Sequence, residues 1–173
     1  MPVLTVELNA KQDTVRQPVI WRIGKLFNVV TNIRRARVTE EYAQVSLKLE
    51  GTTAEVTKAT DYLRALGAAP GGEVSQEPLP TPEESVPQTN TIEVRLTTIQ
   101  PAQTQPPFLY RVGKDFEVVV NIAAAAFDDE EGGWFDVSLS GDLIAVQRAI
   151  AYLHTTGILV NPRQRSVTDF GNL

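Results

Sequence analysis

Cysteine is absent from the 173-residue chain, and histidine and methionine occur once each. Without cysteine there is no disulfide, no thiolate nucleophile, no Cys-ligated zinc and no iron–sulfur cluster. The lone His154 falls at the end of a predicted helix and has no serine, cysteine or metal-binding residue at a recognisable spacing, so it reads as a helix-end side chain. No stretch reaches the roughly 18 apolar residues that a membrane-spanning helix requires, so no membrane insertion is expected. The opening Met1-Pro2-Val3-Leu4-Thr5-Val6 lacks the basic and long apolar segments of a signal peptide, which points to a cytoplasmic setting. There is no Gly-x-x-x-x-Gly-Lys-Ser/Thr phosphate loop and no nucleophile elbow. The acidic run Asp128-Asp129-Glu130-Glu131 lacks the alternating ligands and terminal glutamate of a calcium loop. These absences lead to the expectation of a non-enzymatic protein with no cofactor and no metal.

What is present is ordinary in amount but uneven in placement. Hydrophobic residues at 42% and charged residues at 21% suit a globular protein. The net charge of −5 is divided unequally: bases outnumber acids in residues 1–67 and acids outnumber bases in 91–162. Opposite halves of this kind attract one another or attract different partners. Nucleic acid is not an expected partner, because the one basic run, Arg34-Arg35-Ala36-Arg37, stands in an acidic chain without a basic face or stacking platform.

The strongest signal is internal repetition. The segment from Pro18 to Ile33, PVIWRIGKLFNVVTNI, reappears from Pro107 to Ile122 as PFLYRVGKDFEVVVNI. Leu47-Lys48-Leu49-Glu50-Gly51 answers Val137-Ser138-Leu139-Ser140-Gly141, Tyr62-Leu63 answers Tyr152-Leu153, and Gly67 answers Gly157. A repeat distance of roughly 90 residues exceeds the 20–50 of solenoid units, so each copy reads as a whole domain.

Within each copy the periodicity is legible. Leu4–Leu8 and Ile92–Leu96 alternate as half-buried strands. Pro18 and Pro107 sit where a helix starts without loss of a hydrogen bond, and Ile20, Ile23 and Phe27, or Leu109, Val112 and Phe116, follow at helical spacing over about three turns. Two strands joined by a turn come next, from Val29 to Val38 and Val45 to Leu49, and from Val118 to Phe127 and Phe135 to Leu139. A second helix then ends at Gly67 or Gly157. Ile158-Leu159-Val160 forms a last strand, for which the first copy has only Ala68-Ala69-Pro70. The fold class is therefore α+β: two ferredoxin-like βαββαβ domains, each a four-stranded antiparallel sheet with two helices on one face. The predicted boundaries are 1–67 for the first domain, 68–90 for a Pro/Glu-rich extended linker, 91–162 for the second domain and 163–173 for a polar tail.

The pattern Pro-x-x-x-x-Gly-Lys-x-Phe-x-Val-x-x-Asn-Ile, followed by a strand pair ending in Gly and a helix ending in Tyr-Leu-x-x-x-Gly, resembles the NIL domain in both copies. Both depart from the family's Asn-Ile-Leu at its third position, where Arg34 and Ala123 stand. Such domains occur on the ATPase subunit of bacterial methionine importers, where they bind methionine and inhibit transport, and alone in bacterial and cyanobacterial proteins. The resemblance implies a regulatory role, an internal pseudo-dimer of the two copies and a ligand near the pairing surface. A homo-oligomer is a further arrangement open to such domains.

On that resemblance Asn32, Ile33 and Arg34, with Asn121, Ile122 and Ala123, are candidate ligand-binding residues. From the residues alone, either asparagine equally suits a turn or bulge held by side-chain-to-backbone hydrogen bonds. Arg35 and Arg37 are candidates for contact with Asp128, Asp129, Glu130 and Glu131 between domains or with a partner; the alternative is a solvated edge strand. Lys25 and Lys114 read as cations complementing a helix C-terminus, and Trp21, Tyr110, Phe27 and Phe116 as core. Two functions follow: an adaptor binding a protein partner, or a sensor of methionine or a similar amino acid between the copies.

Overall fold

The structure, a computed structural model, describes residues 3–11, 14, 17–69, 79–98 and 107–162. The element order is β1 (Val3–Lys11), α1 (Val19–Leu26), β2 (Val29–Val38), β3 (Tyr42–Gly51), α2 (Thr53–Ala65), a 3-10 turn (Pro82–Ser85), β4 (Asn90–Thr98), α3 (Phe108–Asp115), β5 (Val119–Asp128), β6 (Gly132–Gly141), α4 (Leu143–Thr155) and β7 (Leu159–Pro162). The first helix of each repeat has eight residues, nearer two turns than the expected three, because Phe27 and Phe116 leave the helix at its cap. The second helices start on side-chain caps, Thr52 accepting from the Glu55 N–H and Asp142 from the Ala145 N–H. They stop at Gly67 and Gly157, whose φ of 77° and 81° suits a residue without Cβ.

Each half has the strand order of a ferredoxin-like module, but the two sheets are one. The strands run β1-β3-β2-β5-β6-β4-β7 in a seven-stranded antiparallel sheet. The two ferredoxin-like modules expected from the sequence are present, and their sheets are joined. The halves fuse where β2 pairs with β5, through Arg35 to Asp128, Ala36 to Phe127, Arg37 to Ala126 and Val38 to Ala125. Counting on from the Asn32–Asn121 match, Arg37 faces its own counterpart Ala126, so the seam is a local twofold axis. Among the described residues the first half has three strands and the second has four. Where the second half has β7, the described residues of the first half show one backbone bond to β1, Asn9 N–H to Ala68 O at 2.8 Å. In the sequence, proline stands at 70 where the second repeat has Val160, and proline has no N–H to give a ladder.

Alternation along the strands turns one face of the sheet toward all four helices. Leu47, Leu49, Phe135, Val137 and Leu139 lie on that face and are 0–1% exposed, each contributing on the order of 2 kcal/mol by burial. Matching aromatic pairs, Phe27 with Tyr62 and Phe116 with Tyr152, brace the two halves at ring-centroid distances of 5.7 and 5.4 Å. The core forms one continuous cluster across the seam.

Residues 70–78 of the expected linker, and the tail 163–173, lie outside the described residues. From Leu79 onward the linker is docked rather than a free tether. Leu79 and Val86 pack against the core, and the Tyr62 hydroxyl donates to Pro80 O at 3.1 Å. Arg22, 6% exposed, donates through Nε to both carboxylate oxygens of Glu83 at 3.0 and 2.9 Å, and through Nη1 to Gln17 Oε1 at 2.6 Å. Burial opposes the Arg22 charge, but the hydrogen bond and charge of Glu83, with Tyr62 adding, raise its pKa above the ordinary value. The matching Arg111 is exposed.

Candidate functional site at the junction of the repeats

Alpha-helices α1 and α3 straddle the seam, each packing on both β2 and β5 and against the other. Their contact is reciprocal. Trp21 lies on Gly113 and Tyr110 lies on Gly24, the same two repeat positions exchanged. A Cβ on Gly113 would stand 2.5 Å from Trp21 Cδ1, and one on Gly24 would stand 3.2 Å from Tyr110 Cδ1. Glycine is what lets both helices approach at the axis. Trp21 Nε1 is buried with no hydrogen-bond partner among the described residues. An unpaired buried donor costs about 1–3 kcal/mol, a penalty the close helix contact must outweigh.

Beside this contact, between α1, α3 and the sheet, lies a cavity of about 80 Å³. One water needs about 10–15 Å³ on this measure, so the space suits a small organic group. Its wall is mainly apolar and comes from both repeats: Leu8, Val19, Ile20 and Val45 from the first, Leu109, Val120 and Ile122 from the second. Polar groups are few, namely Thr14, Gln17, Thr31 and Asn121, with Lys25 and Lys114, one from each helix. Lys25 lies 5.8 Å from the Trp21 ring centre. Burial first, then the nearby charge of Lys114, lowers the Lys25 pKa below its ordinary value, with Glu117 and Asp115 opposing. Neither lysine has a carboxylate within ion-pair distance among the described residues.

The residues singled out from sequence are distributed over three places. Asn121 and Ile122 border the cavity. Asn32 and Ile33 border a second, smaller space of about 20 Å³ under the start of α3. Arg34 and Ala123 border neither; they are the extra residues of matching β-bulges, where the register shifts between Ile33 and Arg35 and between Ile122 and Ala124. The shared Asn-Ile pattern thus marks a bulge that bends each central strand. Arg34 instead crosses the seam, with Nε 3.1 Å from Asp129 Oδ2 and its carbonyl accepting from the Asp129 N–H at 2.8 Å. Arg35 stands 3.6 Å from Asp128. Arg37, Glu130 and Glu131 make no ion pair among the described residues; Arg37 faces Ala126, and Glu130 gives its N–H to Asp128. Both ion pairs are largely exposed, and such pairs contribute about 0–1 kcal/mol each.

Sequence reasoning missed the Trp21–Gly113 and Tyr110–Gly24 exchange and the role of the lysines as cavity wall. The signal was there in the exact recurrence of aromatic, Gly and Lys at the same helical positions. The described residues contain no cluster of three or more His, Asp or Glu placed to hold a metal, and no helix among them is long and apolar enough to cross a membrane.

Two ferredoxin-like modules fused edge to edge about a local twofold, with a cavity at the join, define a tandem-module protein of the α+β class. Residues 4–69 and 94–162 each match the NIL domain, and the chain belongs to the NIL domain family. No curated protein matches it. Among solved structures it is similar to a microcompartments protein from Desulfitobacterium hafniense DCB, at 11% identity and a TM-score of 0.30 over 95% of this chain and 97% of that one. It is also similar to a putative glycine cleavage system transcriptional repressor, at 12% identity and a TM-score of 0.31 over 94% and 98%. Likeness at this level bears on neither ligand nor activity.

Proposed function

We propose that this is a non-enzymatic, cytoplasmic regulatory protein that senses methionine or a similar apolar amino acid in the cavity between its two repeats. The observation that carries the reading is the cavity itself, apolar-walled and built jointly by α1, α3 and both central strands. Apolar sites with a few convergent polar groups are the usual form of small-molecule pockets. The ligand's side chain enters among Val19, Val45 and Val120, and its carboxylate faces Lys25 and Lys114. Thr31 and Asn121 carry acceptor oxygens that suit the α-ammonium group. Calorimetric titration with methionine and the other apolar amino acids tests this: saturable heat that weakens in Lys25→Gln and Lys114→Gln is expected. Silence across the whole panel would sink the reading.

A second reading, an adaptor that binds a protein partner, is favoured by the outer edge of β1. That edge carries exposed Val3 and Leu4, 51% and 42% accessible; among the described residues β1 pairs with β3 as a strand, and Asn9 N–H also meets Ala68 O. An extended segment of a partner could add to such an edge. A partner retained by the native chain but not by a Val3→Lys, Leu4→Lys variant would support it, and equal retention would dismiss it.

A further inference from the structure

The twofold relation requires every feature at the seam to occur twice, and the cavity does. The small space bordered by Asn32 and Ile33 is walled by Ile20, Pro107, Phe108, Leu109, Tyr110 and Phe135. Their repeat counterparts are Leu109, Pro18, Val19, Ile20, Trp21 and Val45, all of which wall the large cavity. The two spaces are therefore the same half-site seen once under each helix. They differ in volume, about 80 against 20 Å³, for a reason visible in the side chains. Where the first repeat has Val19, Val38 and Val45, the second has Phe108, Phe127 and Phe135. The Phe135 ring is fully buried and packs on both of the others, with centroids 6.0 Å from Phe108 and 4.7 Å from Phe127. A fourth exchange works in the same direction: Ala68 borders the open cavity, and its counterpart Ile158, 3% exposed, is larger. Two of the exchanged rings, Phe108 and Phe135, border the small space itself, and Phe127 backs Phe135 from a second strand.

We infer that the tandem has one working ligand site, not two: the half-site under α1 takes the apolar side chain of the ligand, while its twin under α3 is plugged by Phe108, Phe127 and Phe135. The inference rests on the sensor reading for its ligand but on side-chain volumes for its asymmetry, so the two can fail separately. A symmetric pair of such modules would take two ligands; here the second repeat has become a rigid wall for the first. The plug also sets the limit on ligand size, because the open half-site is bounded by short side chains at the positions that carry rings in the closed one.

The test copies the plug into the open site. Val45→Phe, and separately Val19→Phe, should keep the wild-type circular dichroism and melting midpoint, since each ring enters existing space. Methionine titrated into the wild-type chain should bind at one per chain, and each variant should lose that binding at least tenfold. Dissolved xenon, followed by 129Xe NMR, reports the apolar space without any natural ligand: one xenon site is expected in the wild type and none in Val45→Phe. Xenon loss in the variants without methionine binding by the wild type would sink the sensor reading and keep the asymmetry. Undiminished xenon binding in both variants, two methionines per wild-type chain, or a melting midpoint lowered by ten degrees or more in both variants would overturn the asymmetry itself.

Discussion

Replacing Gly113 by alanine puts a methyl group where the structure has the indole of Trp21. The added Cβ would lie 2.5 Å from Trp21 Cδ1 and 2.9 Å from Nε1, well inside van der Waals contact. Trp21 is 7% exposed, so its ring can move only toward the cavity it borders. Overpacking of this kind costs about 1–3 kcal/mol. Alanine returns about 1 kcal/mol over glycine inside a helix. A net loss of about 1 kcal/mol is expected. Gly24→Ala makes the mirror-image change, but its Cβ meets Tyr110 at 3.2 Å, which a shift of a few tenths of an ångström relieves. There the propensity gain wins, and the net effect is zero to about 0.5 kcal/mol stabilising. Urea unfolding reads the difference as opposite displacements of the midpoint at equal slope. Because the displaced indole enters the cavity, Gly113→Ala should also weaken methionine binding, whereas Gly24→Ala should leave it near the wild-type value. Combining Trp21→Phe with Gly113→Ala should recover part of the loss, as expected for side chains in contact. A Gly113→Ala protein as stable as Gly24→Ala would refute the reciprocal packing of α1 and α3.

Removing the partner of the buried Arg22 by Glu83→Ala should cost about 3 kcal/mol and lower the melting midpoint by about 6–12 °C, while Arg111→Ala, at the exposed counterpart, should stay within about 0.5 kcal/mol; a mild Glu83→Ala would mean the linker is not docked. The seam ion pairs are exposed, so Arg34→Ala and Arg35→Ala should each cost under about 1 kcal/mol, an effect that 1 M salt should erase; larger, salt-independent losses in urea titrations would contradict this. Burial, with Asp115 adding, raises the Tyr110 pKa above its ordinary 10.0. The folded chain then holds the phenol proton more tightly than the unfolded chain, so this stabilisation is complete below pH 10 and is lost as pH rises through the folded value. Tyr110→Phe should accordingly soften the fall in melting midpoint above about pH 10; an unchanged alkaline slope would show the phenol is not buried.

Much of each module was legible because its signals are local. The period-two alternation of Leu4–Leu8 and Ile92–Leu96, the glycines at 67 and 157 and the recurrent Asn-Ile all mark structures that form within a few residues. The candidate site was less legible. Asn32 and Asn121 recur because both strands bulge after them, yet only Asn121 reaches the open cavity. Arg34, grouped with the ligand residues by its place in the motif, is turned to Asp129 by the pairing of β2 with β5.

Short-range signals made the repeat, the elements of each repeat and the family readable in the chain, since hydrophobic period and caps act over a few residues. Long-range packing alone fixes the fusion of the two sheets through β2 and β5, the docking of Glu83 of the linker against Arg22, and the space that valines leave open on one side of the axis and phenylalanines fill on the other. Those outcomes depend on which surfaces meet across long stretches of chain. A strand edge, a buried arginine or a small side chain carries no mark in the sequence of the partner it will face.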